Sequence, residues 1–97
     1  MNPKVSVIGL GYIGLPTASI IASKGINVHG VDINKEVVDI INRGKIHIVE
    51  DGLENVVSKV IKEKNLTAST KLEKSDVFII AVPTPFKKND SLIPEPD

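Results

Sequence analysis

The chain has 97 residues, 41% of them apolar, with 12 basic side chains balanced by 12 acidic ones and no cysteine. That length allows one small domain with a modest core, and the balanced charge draws neither nucleic acid nor an anionic membrane surface, so neither is expected as a partner. Without cysteine, this stretch can hold no disulfide, no thiolate metal site and no cysteine nucleophile.

Met1-Asn2-Pro3-Lys4 leads straight into a strand pattern without the long apolar segment of a secretion signal. No apolar run is long enough to span a bilayer, and a cytoplasmic chain is expected. Lys4 to Ile8 is short, β-branched and apolar apart from Ser6. That is the pattern of a central parallel strand covered on both faces. It opens into Gly9-Leu10-Gly11-Tyr12-Ile13-Gly14, a GxGxxG turn followed by helical spacing from about Ile13 to Lys24. Pro16 falls in the first turn of this helix, where its missing N–H costs nothing, and Gly25 ends it. Thr17, Ala18, Ser19 and Ala22 are small enough for close packing.

A strand over Asn27 to Val31 ends at Asp32, 23 positions after Gly9. Strand, glycine turn, helix, strand and acid at this spacing predict a dinucleotide-binding βαβ unit. Gly9 permits the tight turn, Gly11 lets backbone approach a pyrophosphate, and Gly14 lets the helix sit close on the sheet. The free N–H groups around Gly11 to Ile13, with the positive end of the helix dipole, suit the pyrophosphate. Asp32 would accept hydrogen bonds from both hydroxyls of the adenosine ribose, and a 2′-phosphate there would meet like charge. NAD is therefore expected over NADP. Lys35 stands nearby but reads better as a solvated helix residue.

Asn34 can cap a second helix whose stripe is Val37, Val38, Ile40 and Ile41, stopped by Asn42-Arg43-Gly44. Lys45 to Glu50 alternates, either as a strand or as an extended connection. A third helix is predicted from about Gly52 to Lys64, with Asp51 and Glu54 as its capping box and Asn65 at its end. The acids Glu50, Asp51 and Glu54 are assigned to that helix start rather than to a metal, and His29 and His47 to packed rings. Leu66 to Ser69 is a short strand and Thr70 to Lys74 a turn. Val77 to Val82 reads as a fully buried strand. Four of the six prolines then fall in residues 83–97, which predicts a proline-rich loop. The fold class is α/β: a Rossmann-type parallel sheet holding the first βαβαβ half plus one more strand.

The stretches Gly9 to Pro16, Val31-Asp32-Ile33-Asn34, Ile41-Asn42-Arg43-Gly44, Glu50-Asp51-Gly52-Leu53 and Val82-Pro83-Thr84-Pro85 resemble the amino-terminal domain of the UDP-glucose/GDP-mannose dehydrogenase family. Within it, Asn42 to Glu50 and Val82 to Lys87 are most similar to the members that act on UDP-N-acetylmannosamine. Asp51 departs from the pattern, since relatives usually carry proline there. The resemblance implies an NAD-dependent, four-electron oxidation of a UDP-sugar primary alcohol to a carboxylate. The family uses a cysteine thiohemiacetal and a sugar-nucleotide domain for that chemistry, so this chain is expected to be a non-catalytic NAD-binding part, residues 1–97, of a longer protein. It also implies cofactor roles for Tyr12 and Ile13 at the pyrophosphate and ribose, and for Thr84 at the nicotinamide side. Tyr12 also fits a surface ring, and Thr84 a turn hydroxyl.

The alternative is a nucleotide-sensing regulatory module that binds without chemistry. The Pro83-Thr84-Pro85 turn and the helix-rich insert between Asn34 and Asn65 favour the dehydrogenase. In a sheet ordered 3-2-1-4-5-6, strands five and six would lie outside strand four. Their absence would leave the 77–82 edge bare, so the fragment is expected to self-associate there, within a protein expected to be a homo-oligomer.

Overall fold

Short β-branched runs alternate with amphipathic stretches along this chain, and the computed structural model, which describes residues 3–82, folds them as strands and helices in turn. The elements are β1 (Lys4–Ile8), α1 (Gly14–Ser23), β2 (Asn27–Val31), α2 (Lys35–Asn42), α3 (Leu53–Lys62), β3 (Leu66–Ser69) and β4 (Val77–Ile80). The four strands form one parallel sheet in the order β3-β2-β1-β4. This is the Rossmann arrangement, with the crossover between β3 and β4 placing the carboxyl ends of β1 and β4 side by side. The proline-rich loop and Thr84 lie outside the described residues.

Register explains the core. Val5 aligns with Val28 and Leu66, and Val7 with Gly30 and Ala68, so these residues share one sheet face. They join Leu15, Ala18 and Ala22 of α1, Ile41 of α2 and Val57 and Val60 of α3 in a single buried cluster. Each large member removes enough apolar surface from water to contribute about 1.5–3 kcal/mol. The opposite face is polar at its centre. Ser6 and His29 are buried there in register with Thr67, under the 70–76 segment.

The helix ends follow their sequence signals with two exceptions. Asn34 caps α2 as expected, its Oδ1 accepting from the N–H groups of Glu36 and Val37 at 2.9 and 3.4 Å. The capping box of α3 is not formed. Its N-cap is Gly52 at φ 78°, with no side-chain hydrogen bond, because the left-handed bend lets Leu53 N–H reach the Glu50 carbonyl instead. The helix closes at Lys64 rather than Asn65. Lys64 takes φ 64°, while Lys64 N–H bonds to the Ile61 carbonyl and Asn65 N–H to the Val60 carbonyl, a Schellman closure.

Residues 45–50 form no strand. They are an irregular connection, bent at His47 and Ile48, that buries Ile48 and leaves Val49 exposed. β4 is shorter than expected, and it is not buried. Val77, Phe78 and Ile80 are exposed because β4 is an edge strand among the described residues and no helix there packs closely over it.

Candidate coenzyme-binding site

β1 delivers the glycine turn to the carboxyl edge of the sheet. Gly9 N–H bonds to the Val31 carbonyl at 2.7 Å, which ties the turn to the end of β2. Gly9 has φ +97°, and a Cβ there would stand 2.8 Å from Val82 Cγ1 and 3.0 Å from the Ala81 carbonyl carbon. Both strain and crowding reserve the position for glycine. A Cβ on Gly14 would fall 1.6 Å from the Gly9 carbonyl oxygen, so the first turn of α1 presses directly on the bend.

Gly11 differs from both. Its φ is not positive and a Cβ on it would meet nothing within 4 Å. Neither backbone strain nor packing within the described residues asks for glycine here. The space above it is open, and that is where a ligand pressed against the backbone would lie.

The tip of α1 is left uncapped. Ile13 occupies the N-cap position without a side-chain hydrogen bond, and the first turn holds no acidic residue. The earliest helical bonds run from Leu15 N–H to the Gly11 carbonyl and from Thr17 N–H to the Ile13 carbonyl. The preceding N–H groups have no helical acceptor, and the aligned peptide dipoles place about half a positive charge beside them. An anion is their natural partner. Tyr12 and Ile13, 66% and 71% exposed, flank this tip.

Asp32 follows β2 at the same edge, partly exposed. Its Oδ2 accepts from Leu10 N–H and its Oδ1 from Asn34 N–H, each at 2.9 Å. A carboxylate has about four acceptor positions, so two remain for a ligand. Lys35 is turned to its own helix, its Nζ bonded to Asp39 Oδ1 at 3.1 Å. Among the described residues no basic side chain pairs with Asp32.

The structure thus brings Gly9, Gly11, Tyr12, Ile13, Gly14 and Asp32 to one edge. Leu10 and Gly30 were missing from the sequence reading of this site. A glycine inside a predicted strand was the available signal, since such a position often marks a close approach.

The sequence assigned the remaining polar candidates to structure. His29 is a hydrogen-bonded core ring, with Nε2 3.0 Å from Ser69 Oγ. His47 is half-buried, and its Nδ1 has no partner among the described residues. No group of metal-ligating side chains comes together among the described residues. A cleft of about 360 Å³ lies around residues 46–55, and one of about 300 Å³ between residues 50–56 and Pro16, Ser19 and Ile20 of α1. No helix among the described residues is long and apolar enough to cross a membrane.

An all-parallel sheet in this order, an uncapped helix tip after a glycine turn and an acid closing β2 define a dinucleotide-binding domain. The open space over Gly11 and the unpaired lone pairs of Asp32 fit NAD. The chain belongs to the UDP-glucose/GDP-mannose dehydrogenase family, whose NAD binding domain matches residues 3–97. NAD is the coenzyme of that domain. The regulatory-module alternative gives way to this assignment.

The chain is 66% identical over 84 residues to the UDP-N-acetyl-D-mannosamine dehydrogenase of Campylobacter jejuni, a match that covers 87% of this chain and 21% of the relative. It is 54% identical over 85 residues to the NDP-N-acetyl-D-galactosaminuronic acid dehydrogenase of Ralstonia nicotianae, covering 88% of this chain and 20% of the relative. The solved UDP-N-acetyl-mannosamine dehydrogenase of Staphylococcus aureus superposes with a TM-score of 0.84 at 51% identity, over 91% of this chain and 21% of that one. The chain therefore spans about one fifth of the length of the relatives it matches.

Proposed function

We propose that this chain is the coenzyme-binding part, residues 1–97, of an NAD-dependent dehydrogenase that oxidises the primary alcohol of a UDP-sugar to a uronate. The names of its relatives support UDP-N-acetylmannosamine as the substrate. By itself the chain binds coenzyme and has no catalytic residue. Gly11, Tyr12 and Ile13 receive the diphosphate at the helix tip, Gly9 and Gly14 shape the bend that presents it, and Asp32 takes the adenosine ribose. Thr84 is assigned to the nicotinamide side by resemblance alone, as it lies outside the described residues. The protein works in the cytoplasm as a homo-oligomer.

One observation carries the coenzyme assignment: Gly11 is a glycine that folding does not need. Replacing Gly11 with alanine is expected to leave the domain as stable as before or up to about 1 kcal/mol more stable, because alanine has fewer unfolded conformations. The same change places a methyl group where the diphosphate would rest. NAD affinity measured by calorimetry should fall about tenfold or more. An alanine variant that binds NAD like the parent would show that nothing lies against this turn.

A further inference from the structure

Gly30 is the fourth of the five residues of β2, in register with Val7 of β1 and Ala68 of β3. Glycine weakens a strand interior and persists there where something must come close. The close neighbour is Leu10. A Cβ on Gly30 would lie 2.9 and 3.0 Å from the two δ-methyls of Leu10 and 3.5 Å from its Cγ. Leu10 is fully buried, so it has no empty space to swing into, and rotation would only exchange one methyl for the other.

Leu10 also holds Asp32. Its N–H donates to Asp32 Oδ2 at 2.9 Å across 22 positions of sequence. The other carboxylate oxygen is bonded by Asn34 N–H, two residues away. That second bond is a local turn, and it travels with the acid wherever the acid goes. The Leu10 bond is different in kind, because it fixes the acid relative to the glycine turn. A dinucleotide that bridges the helix tip and the ribose acid needs that spacing.

We infer that Leu10 and Gly30 are positioning residues for Asp32: the seat of Leu10 over Gly30 sets the distance between the diphosphate tip and the ribose carboxylate, and so governs recognition of the adenosine 2′-hydroxyl. The inference rests on the coenzyme assignment above. It makes Gly30 a specificity residue that touches no ligand.

The test compares binding of NAD and of its analogue lacking the adenosine 2′-hydroxyl by calorimetry on the whole chain. The parent should prefer NAD by about tenfold, the value of one charge-assisted hydrogen bond. Gly30→Ala should contract that preference toward unity by weakening NAD more than the analogue, which keeps only its 3′-hydroxyl for Asp32. Adding Leu10→Val, which deletes the δ-methyls that the new Cβ meets, should restore the preference in the double variant. If Gly30→Ala does not fold, Leu10→Ala, which empties the space without adding an atom, should contract the preference as well.

Hydrogen exchange supplies a second readout. The Leu10 amide should exchange faster in Gly30→Ala and return to the parent rate in the double variant. Full preference retained in Gly30→Ala or Leu10→Ala, equal loss of both ligands, or no recovery in the double variant would overturn the positioning role. A parent that binds NAD without preferring it to the analogue would overturn the ribose role of Asp32. A parent without NAD affinity would overturn the coenzyme assignment and this inference together.

Discussion

Asp32 carries the sharpest chemistry in the molecule. Both of its oxygens are already held by backbone N–H groups, so the carboxylate is fixed before any ligand arrives and loses little freedom on binding. Truncation removes the ligand contact together with these two backbone bonds. Asp32→Ala is expected to lower NAD affinity about 10- to 100-fold, the range for a charge-assisted pair of hydrogen bonds of about 1.5–3 kcal/mol. Calorimetry that found the variant equal to the parent would remove the ribose assignment. The identity of this acid was legible in the sequence from its distance to the glycine turn. Its anchorage was not, because Leu10 N–H is a backbone donor and one backbone donor looks like another until the chain is folded.

The helices and connecting segments show where sequence signals work and where they fail. Asn34 announces its cap because the side chain itself makes the bond. Asp51 and Glu54 have the right spacing and still do not cap α3, since Gly52 turns the chain so that a carbonyl does the work. Lys64 was illegible for the opposite reason: a left-handed closure ordinarily advertises itself with glycine, as at Gly44 after α2. Here a lysine bears the strain. Lys64→Gly is expected to stabilise the domain by up to about 1 kcal/mol. In a domain of this size a full 1 kcal/mol would raise the thermal midpoint by roughly 4–8 °C in a melting scan.

The 70–76 segment is held by electrostatics as well as by backbone. A hydrogen bond from Lys4, with the nearby His29 ring, holds the Glu73 carboxyl below its ordinary value of 4.5. A carboxyl that titrates lower when folded stabilises the fold fully above that ordinary value and loses its contribution as pH falls below it toward the folded value. The pair is well exposed, so the effect is small. Denaturant midpoints taken at pH 6 and pH 3.5 should fall less for Glu73→Gln than for the parent. An identical fall would mean that the pair does not stabilise the fold.

The whole sheet is asymmetric at its two borders. On the outer side of β3, Asn42 donates its Nδ2 to the Ala68 carbonyl at 2.9 Å and accepts from Ala68 N–H at 3.1 Å. One side chain thus occupies the place of a neighbouring strand. β4 has no such guard among the described residues, and Phe78 and Ile80 beside its free edge are 48% and 69% exposed. Unpaired strand edges flanked by apolar side chains recruit other strands. The 97-residue chain should therefore scatter light as species heavier than its 10.4 kDa, increasingly so with concentration. Ile80→Lys should shift it toward monomer. A parent that stays monomeric at high concentration would count against this edge. Strand order was readable from the alternation of elements, because right-handed crossovers leave few topologies. The bare 77–82 edge was readable too, but the guard on the β3 border was not, since Asn42 sits at the end of a helix and its sequence reads only as a stop.

The three glycines of the turn also differ in what would preserve them. If random variants of this chain were screened for nothing but soluble expression, positions 9 and 14 would stay glycine and position 11 would drift. A library sorted on coenzyme capture would freeze all three. The gap between those two outcomes at a single codon would separate the demands of folding from the demands of the coenzyme, without any knowledge of the reaction.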